Sequence, residues 1–314
     1  MLLQVFLLVL AIVMLYYGAE FALESAEKIG LYFGLSPLVI GLVIVGFGTS
    51  LPEFFVSQLA TFRGESGIAL GNIVGSNIAN LFLILGASGL FETLYIQRQE
   101  IKIQFILHLV LTVLLTIVLF QAKLYVWCSL LLLGFFSFYM WDTFKQMSKQ
   151  RHLTHFDSHD EKVQLHAMDF VKLLAGFVLL YGGGEVLVSS GTEIGKIAGI
   201  SPYVISAVFV AFGTSFPELV TALLACYRKK NTDIITGNII GSNIFNVSFV
   251  LTSLGIYDVS IDQSFNVEIG VLMFASVFLL ALVYMKKNFA RLSGAIFLSL
   301  YIGVVYYWAT NAPV

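Results

Sequence analysis

Charge is scarce in this chain. Only 11% of its 314 residues are Asp, Glu, Lys or Arg, and 58% are hydrophobic, whereas soluble domains carry roughly 25% charged residues. Whole stretches, such as Phe105 to Phe120, contain none of the four. This composition excludes a soluble globular domain, and with no basic tract it offers no nucleic-acid-binding surface. The net charge of −2 says little about partners. Cysteine is limited to Cys128 and Cys226, both in or near apolar segments, which excludes a disulfide framework or a thiolate metal cluster and reads as two isolated thiols. There are only five prolines, and four of them fall at positions that repeat.

What is present is a series of apolar runs near the length of about 20 residues needed to span a bilayer. The chain reads as an all-α polytopic membrane protein. Ten transmembrane helices are expected, near 2–25, 36–61, 68–91, 103–120, 124–143, 169–195, 202–227, 234–256, 267–285 and 291–310. The first basic residue is Lys28, so the N-terminal run lacks the positive head of a cleavable signal and reads as the first span.

The sequence repeats itself. Gly34-Leu35-Ser36-Pro37 returns as Gly199-Ile200-Ser201-Pro202, and Gly48-Thr49-Ser50-Leu51-Pro52-Glu53 as Gly213-Thr214-Ser215-Phe216-Pro217-Glu218, both 165 positions later. Glu20 pairs with Glu185 at the same offset. Gly71-Asn72-Ile73-Val74-Gly75-Ser76-Asn77-Ile78 matches Gly237-Asn238-Ile239-Ile240-Gly241-Ser242-Asn243-Ile244 at an offset of 166. These matches divide the chain into a first five-helix repeat (1–143), a linker (144–168) and a second five-helix repeat (169–314). An odd number of spans per repeat inverts the second copy, the plan of many secondary transporters.

Basic residues favour the cytoplasmic side. With the loops numbered in order, odd loops hold 14 of the 17 Lys and Arg residues and even loops hold Arg63, Lys123 and Lys196. The odd loops, 144–168 among them, are therefore expected in the cytoplasm and both termini outside.

The chemistry is expected at the repeated phrases. A carboxylate inside an apolar span marks a functional site. Thr49 and Glu53, four apart, are expected on one helix face, and Pro52 releases a carbonyl about one turn earlier. Gly46 and Gly48 allow close approach. Thr214, Ala211, Gly213, Pro217 and Glu218 repeat the arrangement. Asn72, Ser76 and Asn80 line one face of the third span; Asn238, Ser242 and Asn246 do so in the eighth. Every member offers oxygen, which suits Ca2+ and other hard cations rather than zinc or copper.

The paired GTS-x-PE and GN-x-x-GSN phrases resemble the two alpha repeats of the sodium/calcium exchangers, in the cation/Ca2+ antiporter superfamily. The resemblance spans nearly the whole chain and is strongest at 34–80 and 199–246. It implies a ten-helix inverted-repeat fold in which Na+ and Ca2+ compete for central sites and exchange by alternating access. The implied ion ligands are Thr49, Ser50, Glu53, Ser76 and Asn80, then Thr214, Ser215, Glu218, Ser242 and Asn246, with backbone carbonyls near Gly46 and Ala211. Some exchangers carry aspartate where this chain has Asn246, so the fixed site charge here is about −2 when both glutamates ionise. The linker is too short for a regulatory domain.

The expectation is a Na+/Ca2+ antiporter of a prokaryotic-type inner membrane. It is not an enzyme, has no cofactor, and has Ca2+, Na+ and the lipid bilayer as partners. The alternative is an H+- or K+-coupled exchanger on the same fold; a channel or an intramembrane enzyme is a more distant reading. Gly71, Gly75, Gly237 and Gly241 read as close-packing positions, Asn77 and Asn243 as packing or capping residues. Glu20 and Glu185 read as structural pairing near the middle or outer part of their spans, with a proton or gating role as the other reading. His152, His155, His159 and His166 read as a solvated loop cluster rather than a metal or pH sensor.

Overall fold

The computed structural model describes residues 2–154, 164–197 and 213–311, and these are entirely helical apart from short connections and two isolated bridges. In chain order the helices are α1 (Leu2–Tyr32), α2 (Pro37–Phe62), α3 (Ser66–Phe91), α4 (Gln99–Leu119), α5 (Val126–Thr154), α6 (Ala167–Ile197), α7 (Phe216–Tyr227), α8 (Thr232–Ile256), α9 (Asn266–Tyr284) and α10 (Arg291–Asn311). Among the described residues, all but α7 have the length and apolarity to cross a membrane. The expected first part of α7, with Pro202 and Ala211, lies outside the described residues, as do His155 and His159 and the side chain of His152. The spans fall within a few residues of expectation, except that α1 runs on to Tyr32 and α5 runs past 143 to Thr154.

Local signals explain where helices begin and break. The Ser36 hydroxyl accepts from the Val39 N–H at 3.4 Å, and Pro37 follows in the first turn, where its missing N–H costs nothing. Gly34, at φ 73°, supplies the left-handed turn that separates α1 from this cap. Inside α2 the helix stops at Thr49 and restarts at Leu51, with Ser50 at φ −87°, ψ 5°. Ser215 holds φ −88°, ψ 4° before Phe216. The repeat is thus present in backbone angles as well as in letters.

The two isolated bridges also obey the repeat. Leu94 pairs with Phe289 and Lys123 with Ser260, both antiparallel. At the offset of 166, Leu94 corresponds to Ser260 and Lys123 to Phe289, so one bridge is the symmetry mate of the other. Each repeat is stitched to the other at both ends. Ion pairs keep the same two sides. Lys28 bonds Asp169 at 2.8 Å, Arg98 bonds Asp233 and Lys230 bonds Glu27 near odd-loop ends, and Arg228 reaches Glu20 further along α1. Lys123 and Asp258, 3.3 Å apart, join two even loops. Glu20 stands just past the middle of α1, which runs Leu2–Tyr32, and pairs there with Arg228.

The core is formed by α2, α3 and α8, while α1 and α6 are the least buried spans. Glycines let the central helices meet backbone to backbone. A Cβ on Gly41 would stand 2.3 Å from the Ile234 carbonyl oxygen, and one on Gly241 would stand 2.4 Å from that of Leu42. Gly237 is equally close to the Leu38 carbonyl. The close-packing reading of Gly237 and Gly241 holds, and small residues at helix contacts are the usual membrane solution. The counterparts expected against Gly71 and Gly75 fall among 198–212, outside the described residues. On the periphery α1 and α6 pack along much of their length through Gly18, Gly176 and Gly183.

Gly241→Leu should lower the thermal midpoint of the detergent-purified protein, because overpacking costs about 1–3 kcal/mol or more where backbone cannot move. Gly134→Leu, at a position where a Cβ meets nothing within 4 Å, should leave it unchanged in the same thermal-shift measurement. Equal midpoints for the two variants would contradict the packing described.

Candidate cation site

The broken helices bring the candidate residues together. Nine of the ten are buried and Thr214 is half-buried. Glu53 and Glu218 are both 0% exposed and close enough to interact electrostatically. Each carboxylate lies in the first turn of the arm that follows its break, where the positive end of the helix dipole favours negative charge. The arm before the first break ends at Thr49 and turns its negative end to the same place.

Each repeat supplies hydroxyls to the other's carboxylate. The Ser50 O–H donates to Glu218 Oε1 at 3.2 Å, and Thr49 is beside the same group. Ser76 and Thr214 flank Glu53, one from each repeat. The Thr49 hydroxyl also donates to the Val45 carbonyl at 3.0 Å, and the helix stops and restarts between Thr49 and Glu53. Thr214 donates to Asn72 Oδ1 at 3.1 Å, and its mate Thr49 approaches Asn238 Oδ1 at 3.3 Å. Ser76 and Thr214 bond each other at 3.2 Å. Asn72 and Asn238 therefore orient hydroxyls rather than offer free oxygens.

Several buried acceptors are left without hydrogen-bond partners: both oxygens of Glu53, Glu218 Oε2, Asn80 Oδ1 and Asn246 Oδ1. A buried polar atom without a partner is rare and calls for an explanation. Here the orphaned atoms are carboxylate and amide oxygens within one oxygen-rich set, which fits a hard cation. The Gly46 carbonyl is already engaged: it accepts from the Ser50 N–H at 3.2 Å and from the Ser242 O–H at 3.1 Å. Its lone pairs are less free than its expected ligand role requires. Asn80 and Asn246 stand in or at the start of π-helical stretches, Ala79–Leu85 and Asn246–Val250. Such widened turns occur often at functional sites, and no letter of the sequence announces them. Phe47, Phe245 and Phe249 form an aromatic cluster on α2 and α8, with ring centroids 4.6 and 4.8 Å apart.

Other expectations resolve here. Asn77 donates to its own helix at Ile73, 2.7 Å away, and Asn243 bridges neighbouring groups, so both act as packing residues. Glu20 pairs with Arg228, whereas Glu185 is exposed on α6. The backbone N–H of His166 donates to Asp169. Cys128 and Cys226 are buried free thiols. Sequence reasoning missed His108, which is buried on α4 and bonded to both Asn243 and Ser276. Its signal was available: a histidine inside a stretch with no Asp, Glu, Lys or Arg.

Fold and site together define a multi-pass membrane transporter of the inverted-repeat class. The chain belongs to the sodium/calcium exchanger family, a family of membrane cation antiporters: the family model described as sodium/calcium exchanger protein matches residues 3–144 and 168–309. It is 30% identical to an uncharacterized membrane protein of Methanocaldococcus jannaschii, over 93% of this chain and 94% of that one. It is 28% identical to the sodium/calcium exchanger MaX1 of Methanosarcina acetivorans, over 94% and 95%. Among solved structures, the sodium-calcium exchanger NCX_Mj soaked with Na+ and Sr2+ superposes with a TM-score of 0.83 at 28% identity, covering 100% of this chain and 99% of that one.

Two ionised carboxylates near enough to interact repel when no cation lies between them. Glu53→Gln/Glu218→Gln should therefore raise the thermal midpoint in chelator-treated, Na+-free buffer, by a few degrees or about 1 kcal/mol. An unchanged or lowered midpoint would argue against mutual repulsion at the site.

Proposed function

We propose that the chain exchanges Na+ for Ca2+ by alternating access at the Glu53–Glu218 site. The observation that carries this reading is the pair of buried, electrostatically interacting carboxylates with unsatisfied oxygens. Two ionised glutamates match the charge of one Ca2+, which lessens the cost of holding a divalent ion in low dielectric. The same oxygens would hold several Na+ ions instead, so the two loads exclude each other. Thr49, Ser50, Ser76 and Asn80 of the first repeat, with Thr214, Ser215, Ser242 and Asn246 of the second, complete the ligand set. Ca2+ takes 6–8 oxygens at about 2.3–2.6 Å, a number this set can supply. Exchange follows when the protein changes access only with the site loaded.

The relatives support the same reading: one bears the name sodium/calcium exchanger, and NCX_Mj was soaked with Na+ and Sr2+. Residues 1–143 and 169–314 act as the two repeats, joined through 144–168. The excess of basic residues in odd loops puts those loops, with the linker, on the cytoplasmic side of the inner membrane and both termini outside. The peripheral pair α1 and α6, packed on each other through glycines, is the element suited to slide across the core. Na+ entering down its gradient then drives Ca2+ outward.

Proteoliposomes loaded with Na+ should take up radiolabelled Ca2+, and Glu53→Gln should abolish that uptake. Near-normal transport by the variant would remove the carboxylate site from the mechanism. Uptake that persists without a Na+ gradient and follows an imposed pH or K+ gradient would favour the H+- or K+-coupled alternative.

A further inference from the structure

We infer that His108 is a positioning residue: through Asn243 it holds the Asn80 amide with its oxygen turned to the transported cation, and so makes the two asparagines of the site unequal. The inference rests on the cation-site reading above and deepens it.

The direction of every bond in this chain is set by groups that can only accept. The Ser276 O–H donates to the Leu272 backbone carbonyl at 2.9 Å. Ser276 Oγ, 2.9 Å from His108 Nδ1, is then the acceptor, and the proton of the neutral ring sits on Nδ1. That leaves Nε2 as an acceptor, and Asn243 Nδ2 stands 3.2 Å from it. The same Asn243 nitrogen donates to the Asn77 backbone carbonyl at 3.3 Å, so both of its hydrogens are used. Asn243 Oδ1 accepts from Asn80 Nδ2 at 2.9 Å. Asn80 Oδ1 remains, fully buried and without a partner. Reversing the Asn80 amide would set its oxygen against that of Asn243 and aim hydrogens at the cation.

Among the described residues the second repeat has no such chain. At the repeat offset His108 becomes Phe274. Among the described residues neither amide atom of Asn246 has a partner, and none of them fixes its orientation. Two residues identical in the motif thus differ in what stands behind them: Asn80 is a fixed oxygen donor and Asn246 an adaptable one.

The test compares apparent Ca2+ affinity and maximal rate in Na+-loaded proteoliposomes. Glutamine reaches the Nε2 position and can accept from Asn243; asparagine reaches only the Nδ1 position. His108→Asn and His108→Phe should weaken the apparent Ca2+ affinity about tenfold, the order expected for losing one hydrogen bond at a charged centre. His108→Gln should restore it to within about twofold. In an Asn80→Ala background, which weakens affinity by itself, His108→Asn should add nothing. Unchanged affinity in His108→Asn, or equal losses in the Asn and Gln variants, overturns the inference, as does a full additional loss in the Asn80→Ala background. Asn80→Ala with normal affinity would instead remove Asn80 from the ligand set, a failure of the underlying reading.

Discussion

Glu53 and Glu218 are held with no exposed surface and close enough to interact electrostatically, and this arrangement governs the site. Isolated ionised groups are expensive away from water, and two of like sign are more so. The chain meets that cost with helix termini, hydroxyls and amides directed at one place. The breaks at Ser50 and Ser215 expose those termini. Non-helical backbone inside a membrane is tolerated where it is enclosed by protein, and the tight α2–α8 contact provides the enclosure.

The inverted repeat is more than a doubling. Hydroxyls of one repeat serve the carboxylate of the other, as Ser50 does for Glu218. The bridges Leu94–Phe289 and Lys123–Ser260 also join one repeat to the other. Neither half completes the site alone. One departure from symmetry lies behind the ligands, where His108 reaches the first repeat's Asn80 through Asn243 and Phe274 occupies the position matching His108.

Much of this was legible in the sequence because apolar length, proline and repetition are strong local signals. The breaks at Thr49–Pro52 and Thr214–Pro217, the acids beyond them and the close-packing Gly237 and Gly241 were all readable. The π-helical turns were not, since widened turns depend on packing rather than on any residue type. His108 went unweighed, although a histidine inside an uncharged apolar stretch is itself a signal.

The account depends on one oxygen-lined site holding both ions in turn, and calorimetric titration of the detergent-purified protein with Ca2+ tests that most directly. The expected result is binding at one site per chain, weakened progressively by added Na+ and lost in Glu53→Gln/Glu218→Gln. Ca2+ binding that survives loss of both carboxylates, or that Na+ leaves untouched, would contradict it.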